Sequence, residues 1–238
     1  MDFTLLKDNV VVGRGATLDP NYQPPEGFTL GPADAPDGYA WNGTKFVPPA
    51  EIVRHVLVPD VLSPAECDAI IARGSDLKLN TAAVVRNGVF GQYMPDLRRS
   101  AIAWIRPEEG DIDRLFQKVW GRVDEHNRAT FRLPIERLPA FQFTRYEAEL
   151  RGHFEWHTDA LPPDDEGFER KLTTVALLSD PESFAGGTFE IQDFGAIPFT
   201  RGSLLIFPSA IRHRVLPVTK GERYTLVAWI LGPASGQS

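Results

Sequence analysis

The sequence predicts a mostly β protein with supporting helices, and three observations predict it. From about residue 140 to 231 the chain is a succession of short strand-like runs separated by glycine-containing turns. Upstream of these, two segments carry helix signatures. Ahead of both, residues 1–50 are punctuated by prolines and glycines that leave no room for a long helix. With 238 residues, 42% of them hydrophobic, the chain can bury one good core and carry a small appendage.

The first fifty residues contain Pro20, Pro24, Pro25, Pro32, Pro36, Pro48 and Pro49. Near their end, Tyr39-Ala40-Trp41-Asn42-Gly43-Thr44-Lys45-Phe46 places Asn-Gly between aromatic residues, a hairpin signal. The expectation is a Pro/Gly-rich arm closing in a small hairpin and docking on the main domain, with a separate binding module as the alternative. The main domain then covers 51–238, with helical support in 51–130 and a β core in 131–232.

A strand is predicted over 51–58. Ser63-Pro64-Ala65-Glu66 then opens a helix: Ser63 caps, Pro64 suits the first helical position and Glu66 completes a capping box. Ile70 and Ile71 continue its apolar face, and Gly74 is expected to end it. A strand follows over 99–105. The second helix covers 112–126, where Ile112, Leu115, Phe116, Val119, Trp120 and Val123 fall at helical spacing and form a core stripe. Later strands are predicted at 140–146, 172–178, 188–192, 203–207, 213–218 and 224–231, with turns at Gly186-Gly187, Arg201-Gly202 and Lys220-Gly221. Short strands so spaced suggest a sandwich or barrel.

Composition narrows the functional classes. The net charge of −7 and pI near 5.3 supply no average basic footprint, so no nucleic-acid partner is expected. Cys67 is the single cysteine, which excludes an internal disulfide. The N-terminus lacks a basic start followed by an apolar run, and no apolar stretch reaches the roughly 20 residues of a membrane helix. The expectation is a soluble, cytoplasmic protein with no membrane partner.

The chemistry concentrates in Gly152-His153-Phe154-Glu155-Trp156-His157-Thr158-Asp159. In an extended chain residues two apart share a face, so His157 and Asp159 can converge on one ion. His213, on a later strand, is the candidate third ligand. Two His and one carboxylate leave coordination positions open, the arrangement of non-haem Fe(II) oxygen chemistry. An H-x-D pair alone is weak, and a surface His-Asp pair is the plain alternative. A helical zinc site using His153 and His157 is disfavoured, because Glu155 does not adjoin the first His and the segment reads as strand. Ten residues beyond His213, Arg223, Thr225, Val227 and Trp229 alternate onto one face. If that face is interior, Arg223 is a buried cation in need of an anion, either a ligand carboxylate or an internal acid such as Glu190.

In these elements, taken in order, the sequence resembles the Fe(II)/2-oxoglutarate-dependent oxygenases of the prolyl 4-hydroxylase-like (PKHD-type hydroxylase) group. The likeness spans about 52–232 and includes Leu62-Ser63-Pro64-Ala65-Glu66-Cys67, Tyr146, Gly152, Phe154, His157, Asp159, Gly186-Gly187-Thr188-Phe189, Arg201-Gly202-Ser203-Leu204-Leu205-Ile206-Phe207, His213, Pro217-Val218, Gly221, Arg223 and Trp229. It implies a double-stranded β-helix, a jelly-roll barrel with supporting helices. It implies Fe(II) held by His157, Asp159 and His213, with O2 and 2-oxoglutarate as co-substrates and ascorbate as an accessory reductant. Arg223 and Thr225 would bind the distal carboxylate of 2-oxoglutarate, and Tyr146 would contact the same molecule. Two extra residues separate Tyr146 from His157 relative to the usual spacing. Related halogenases lack the carboxylate at the Asp159 position, so its presence favours hydroxylation. The expected substrate is a peptidyl or free amino-acid side chain such as proline; another small metabolite, or a silent binding module of the same fold, are the alternatives. The loops 161–170 and 84–98 are candidate lids.

Overall fold

The structure, a computed structural model, describes residues 55–82, 94–107 and 112–234 in full. Outside these it describes the strand backbone at 2–7, 10–16, 29–31, 40–41, 46–47, 84–86 and 89–92, with Gln23 and Glu26 singly. The chain divides into two compact units, 1–53 and 54–238.

In the first unit, β1 (Asp2–Lys7), β2 (Val10–Ala16), β3 (Thr29–Gly31), β4 (Ala40–Trp41) and β5 (Phe46–Val47) form one sheet in the order β3-β1-β2-β4-β5. Proline spacing suggests an extended arm here, but the described strands pair edge to edge. The reason is where the prolines fall: Pro20, Pro24, Pro25, Pro32 and Pro36 lie between strands and Pro48 and Pro49 beyond the last, so they punctuate a sheet instead of preventing one. Trp41 pairs with Phe46 and Ala40 with Val47, as a hairpin requires. The turn 42–45 itself lies outside the described residues, as do residues 51–54 of the next predicted strand.

The second unit begins with β6 (Val56–Val58) and α1 (Pro64–Asp76). The capping box forms: Glu66 N–H donates to Ser63 Oγ at 3.3 Å and Ser63 N–H to Glu66 Oε2 at 2.7 Å. Gly74 does not end this helix, which runs on to Asp76. A Cβ at position 74 would lie 2.4–2.5 Å from the Phe143 ring, so glycine there lets the helix seat directly on the sheet. Next come β7 (Asn80–Thr81), β8 (Val84–Arg86), β9 (Val89–Gln92), β10 (Arg98–Arg99), β11 (Ala101–Ile105) and α2 (Asp113–His126). β8 and β9 pair with each other inside the candidate lid 84–98; Asn87, Gly88 and Tyr93 of that loop lie outside the described residues. α2 continues into a wider turn at Asn127–Phe131 and stops at Arg132, whose φ is +54°.

The remaining strands are β12 (Phe141–Glu147), β13 (His153–His157), β14 (Phe168–Leu177), β15 (Ala185–Gly186), β16 (Phe189–Ile191), β17 (Gly195–Ala196), β18 (Leu204–Pro208), β19 (His213–Val215), β20 (Val218–Lys220) and β21 (Glu222–Pro233). Among the described residues they assemble into a seven-stranded sheet, β6-β18-β14-β21-β12-β11-β7, and a five-stranded sheet, β10-β13-β19-β16-β17. The segment 51–130, read as helical support, therefore also gives strands to both sheets. The single strand expected at 99–105 breaks at Ser100: β10 joins the small sheet and β11 the large one.

The large sheet is buried on both faces. On β18, Leu204 and Ile206 enter a core shared with Cys67, Ile70, Val119 and Val123 of the helices. Leu205 and Phe207, one residue out of step, enter a second core shared with Phe189, Ile191 and Val215 of the small sheet. The period of two thus separates a helix-facing layer from an inner layer between the sheets. This is the jelly-roll arrangement with supporting helices. No helix among the described residues is long and apolar enough to cross a membrane.

Candidate active site

The inner layer turns from apolar to polar along the strands. On β12, Phe141 and Phe143 face the helices while Gln142, Thr144 and Tyr146 alternate with them. On β21, Leu226, Ala228 and Ile230 pack in the helix-facing core, and Arg223, Thr225, Val227 and Trp229 line a cavity. His157, Asp159, His213 and Tyr146 line the same cavity, so all six residues singled out in the sequence meet in one place.

His157 and His213 are direct cross-strand partners on β13 and β19. Asp159 follows two residues after the end of β13, and its backbone N–H donates to the Ser209 carbonyl at 2.9 Å. One donor atom from each of the three side chains lies within 4.8 Å of the others. His157 Nε2 is 3.8 Å from Asp159 Oδ1, and His213 Nε2 is 3.4 Å from Asp159 Oδ2. Each Nδ1–H donates to a backbone carbonyl, His157 to Glu155 at 2.7 Å and His213 to Ile211 at 2.9 Å. That fixes the tautomer and turns both Nε2 lone pairs toward Asp159, the outer support a ligating imidazole needs. The rings are also held sideways: His157 stacks on Phe154 at 3.4 Å, and His213 packs against Phe189 and Phe207.

Burial and the adjacent His213 push the His157 imidazole down to about 3, so it is neutral and ready to donate its lone pair. Burial alone would raise the Asp159 carboxyl, but His213, His157 and Arg170 outweigh it and hold Asp159 below the usual carboxylate range. Two imidazoles and one carboxylate, on one wall of a cavity, form a donor set that fits a divalent iron ion with positions left open. A helical zinc site is excluded by geometry. His153 and His157 lie on a strand, where four residues span about 13 Å. Both His153 nitrogens already face backbone carbonyls, those of Arg151 and Asp96.

Two cations are buried at the cavity. Arg98 is committed: Nε donates to Ser100 Oγ at 2.8 Å, a terminal nitrogen donates to Gln142 Oε1 at 2.9 Å, and the guanidinium lies over Phe154. Arg223 is not. It is 2% exposed, and among the described residues no carboxylate pairs with it. Burial lowers its pKa to about 10, opposed by the neighbouring Tyr146. The sequence leaves Glu190 open as its internal partner, but Glu190 pairs with Arg214 Nε at 2.7 Å. Gly187 makes room for Arg223: at φ +63°, a Cβ there would stand 2.8 Å from Arg223 Cδ. Sequence reasoning missed Arg98 and Gln142 as cavity residues. The signal for Gln142 was present, a polar residue in step with Thr144 and Tyr146 between phenylalanines.

The residues 141–231 match the family model described as the 2OG-Fe(II) oxygenase superfamily. A PKHD-type hydroxylase of Methylobacterium nodulans is 30% identical over 186 residues, covering 73% of this chain and 76% of that protein. The chain belongs to the 2OG-Fe(II) oxygenase superfamily. Its place there is in the prolyl 4-hydroxylase-like group, an enzyme family working with Fe(II), 2-oxoglutarate and O2. The fold agrees with solved members. The viral collagen prolyl hydroxylase of Paramecium bursaria Chlorella virus-1, in its 2OG complex, superposes with a TM-score of 0.58 at 21% identity, covering 75% of this chain and 96% of that one. A Pseudomonas putida prolyl-4-hydroxylase gives 0.58 at 20% identity, covering 77% and 94%. The cavity of this chain is lined from both of its sheets, by Tyr146 and Thr225 of the large one and His157 and His213 of the small one.

Proposed function

We propose that this oxygenase hydroxylates an unactivated C–H bond of a peptidyl or free amino acid, with proline or a proline-like ring as the leading substrate. In this reading His157, Asp159 and His213 hold Fe(II), and Arg223 receives the distal carboxylate of 2-oxoglutarate, with Thr225 as a further hydroxyl donor and Tyr146 beside it. The observation that carries the reading is Arg223. A guanidinium so deeply buried, with no carboxylate partner among the described residues, requires an anion from outside, and it lines the same cavity as the three-donor cluster. Arg98 is held elsewhere, by hydrogen bonds to Ser100 Oγ and Gln142 Oε1.

When bound, iron, 2-oxoglutarate and O2 supply the oxidation: the co-substrate becomes succinate and CO2, one oxygen entering each of succinate and the hydroxylated product. The chain's own residues do the positioning. Tyr146 is the cross-strand partner of Arg223, so both ends of that contact ride on paired strands and move little. Val175, Phe189, Val215 and Val227 wall the cavity with apolar surface and exclude water around the reacting groups. Trp229 also lines a second cavity of about 610 Å³, whose walls include Trp104, Pro139, Leu161, Pro162, Pro163 and Phe168. An apolar, ring-bearing side chain suits those walls, and the loop 161–170 that supplies several of them is the proposed lid.

The test has two stages. Anaerobic Fe(II) titration followed by 2-oxoglutarate should develop a metal-to-ligand charge-transfer band in the visible. A silent binding module of the same fold gives none. A substrate screen should then show succinate formation above the uncoupled background with proline-containing peptides or free proline. Stimulation solely by unrelated metabolites would sink the amino-acid reading while leaving the oxygenase intact.

A further inference from the structure

Behind the carboxylate of Asp159 lie two hydroxyl groups whose residues do not line the cavity. Thr173 on β14 and Ser209 just past β18 are both fully buried. Thr173 Oγ1 donates to Asp159 Oδ2 at 2.9 Å, and Ser209 Oγ lies 3.0 Å from Thr173 Oγ1. A threonine hydroxyl has one proton, and an ionised carboxylate can only accept. With that proton committed to Asp159, Ser209 must donate to Thr173, which gives the chain a direction: Ser209 to Thr173 to Asp159. Ser209 is itself locked in place. Its carbonyl accepts from the N–H groups of Asp159 and Ala160 at 2.9 and 3.0 Å, and its N–H donates to the Lys171 carbonyl at 3.0 Å. The same residue therefore sets both the backbone of the 159–160 segment and, through Thr173, the rotation of the Asp159 side chain.

The two carboxylate oxygens are left unequal. Oδ2 carries the Thr173 bond, while Oδ1 has no hydrogen-bond donor among the described residues. We propose that Thr173, oriented by Ser209, is a positioning residue that restricts Asp159 to one metal-binding oxygen and so keeps a coordination position free for the keto-acid end of 2-oxoglutarate. This rests on the reading of His157, Asp159 and His213 as the iron ligands. Without Thr173 the carboxylate can turn and offer both oxygens to the ion, and the second oxygen occupies a position that the co-substrate needs. Losing an outer hydrogen bond to a metal ligand typically costs about 10- to 100-fold in metal affinity or activity, and here the loss should fall on the position the co-substrate takes.

The experiment is a paired anaerobic titration of wild type, Thr173→Val, Thr173→Ser and Ser209→Ala, with Fe(II) first and 2-oxoglutarate second, each protein checked by thermal melting. Thr173→Val is expected to lose 2-oxoglutarate affinity about 10- to 100-fold, with a weakened charge-transfer band and a much smaller change in Fe(II) affinity. Thr173→Ser should restore both. If Thr173→Val does not fold, Ser209→Ala carries the test: it keeps the Thr173 donor but frees its rotation, and should weaken 2-oxoglutarate more than iron. Equal losses of iron and 2-oxoglutarate affinity would reduce Thr173 to a structural prop and overturn the proposal. So would wild-type affinity for 2-oxoglutarate in the folded Thr173→Val or Ser209→Ala protein. A wild-type protein that binds no Fe(II) would instead overturn the ligand assignment on which the proposal stands.

Discussion

The two faces of the seven-stranded sheet are made from the same strands, yet they are built on opposite terms. Toward the helices stand Phe141, Phe143, Leu172, Ala176, Leu204, Ile206, Leu226, Ala228 and Ile230, with Thr174 in the same row donating its hydroxyl to the Ala228 carbonyl. Toward the small sheet, the intervening residues include Gln142, Thr144, Thr173, Arg223 and Thr225, all buried. One face gains stability by removing apolar area from water. The other holds polar and charged groups out of water, which costs free energy unless each finds a partner. Arg98, Thr173 and Asp159 have theirs within the chain. Arg223 has none among the described carboxylates, and the three-donor cluster faces open space. The difference teaches where to look for ligands: on the face where burial is least compensated.

The largest effects should come from the donor cluster. His157→Ala, Asp159→Ala and His213→Ala should each lower turnover by at least about 1000-fold, equivalent to roughly 4 kcal/mol of barrier, while thermal melting of the metal-free protein changes little. Steady-state succinate release and melting curves together check this. Near-native turnover at limiting iron in any one variant would remove that residue from the ligand set and blur the contrast between the faces.

The opposite pattern is expected from Phe143→Ala. Its ring is fully buried and seats α1 at Gly74. Stability should fall by about 3–5 kcal/mol, read from the urea midpoint, while the fraction that stays folded binds Fe(II) as wild type does. A loss of iron affinity in step with stability would mean the two layers are coupled more tightly than their alternation implies.

Arg223→Leu lies between these. Removing one partner of a buried charged pair costs about 3–5 kcal/mol, part of it relieved because 2-oxoglutarate can still chelate the iron. A loss of about 2–4 kcal/mol is expected, roughly 30- to 1000-fold in 2-oxoglutarate affinity, with iron affinity little changed. Unchanged 2-oxoglutarate affinity in the folded variant would reject the carboxylate role.

How much of this was legible beforehand follows from the range of each signal. The capping box at Ser63 and Glu66, the stripe of α2 and the alternation Arg223, Thr225, Val227, Trp229 are local patterns, and they could be read from spacing alone. That His157, Asp159 and His213 would come together was legible because H-x-D is local and histidines are few. Gly74 was misread because a glycine near a helix end has two causes, a left-handed turn and a close approach, and only the position of Phe143 decides between them. The proline-rich start was misread because prolines between strands and prolines within an arm look alike in one dimension. Thr173, Ser209 and Arg98 stayed hidden for a third reason. Their roles exist only once distant strands are paired, and a threonine or arginine in a strand carries no mark of which side chain it will meet.

The smallest effect tests whether polar pairs on the helix layer matter as those in the inner layer do. Glu66 closes the cap of α1 and pairs with Lys118 of α2 at 2.7 Å, in the open. The Lys118 hydrogen bond, then the Ser63 backbone N–H, hold its carboxyl down at about 2. A carboxyl lowered on folding binds fewer protons folded than unfolded, so its contribution is complete above the ordinary carboxylate pKa near 4.5 and fades as pH falls toward 2. Solvent screens this exposed pair, so the contribution should be about 0.5–1 kcal/mol at most. Glu66→Gln, which keeps a cap acceptor but drops the charge, should lower the urea midpoint slightly at pH 7. The gap from wild type should narrow as the buffer is taken from pH 5 to pH 3. A gap that stays constant with pH would assign the effect to packing at the cap. A gap as large as that of Phe143→Ala would show that an exposed ion pair can rival the apolar face, against the contrast drawn between the two sides of the sheet.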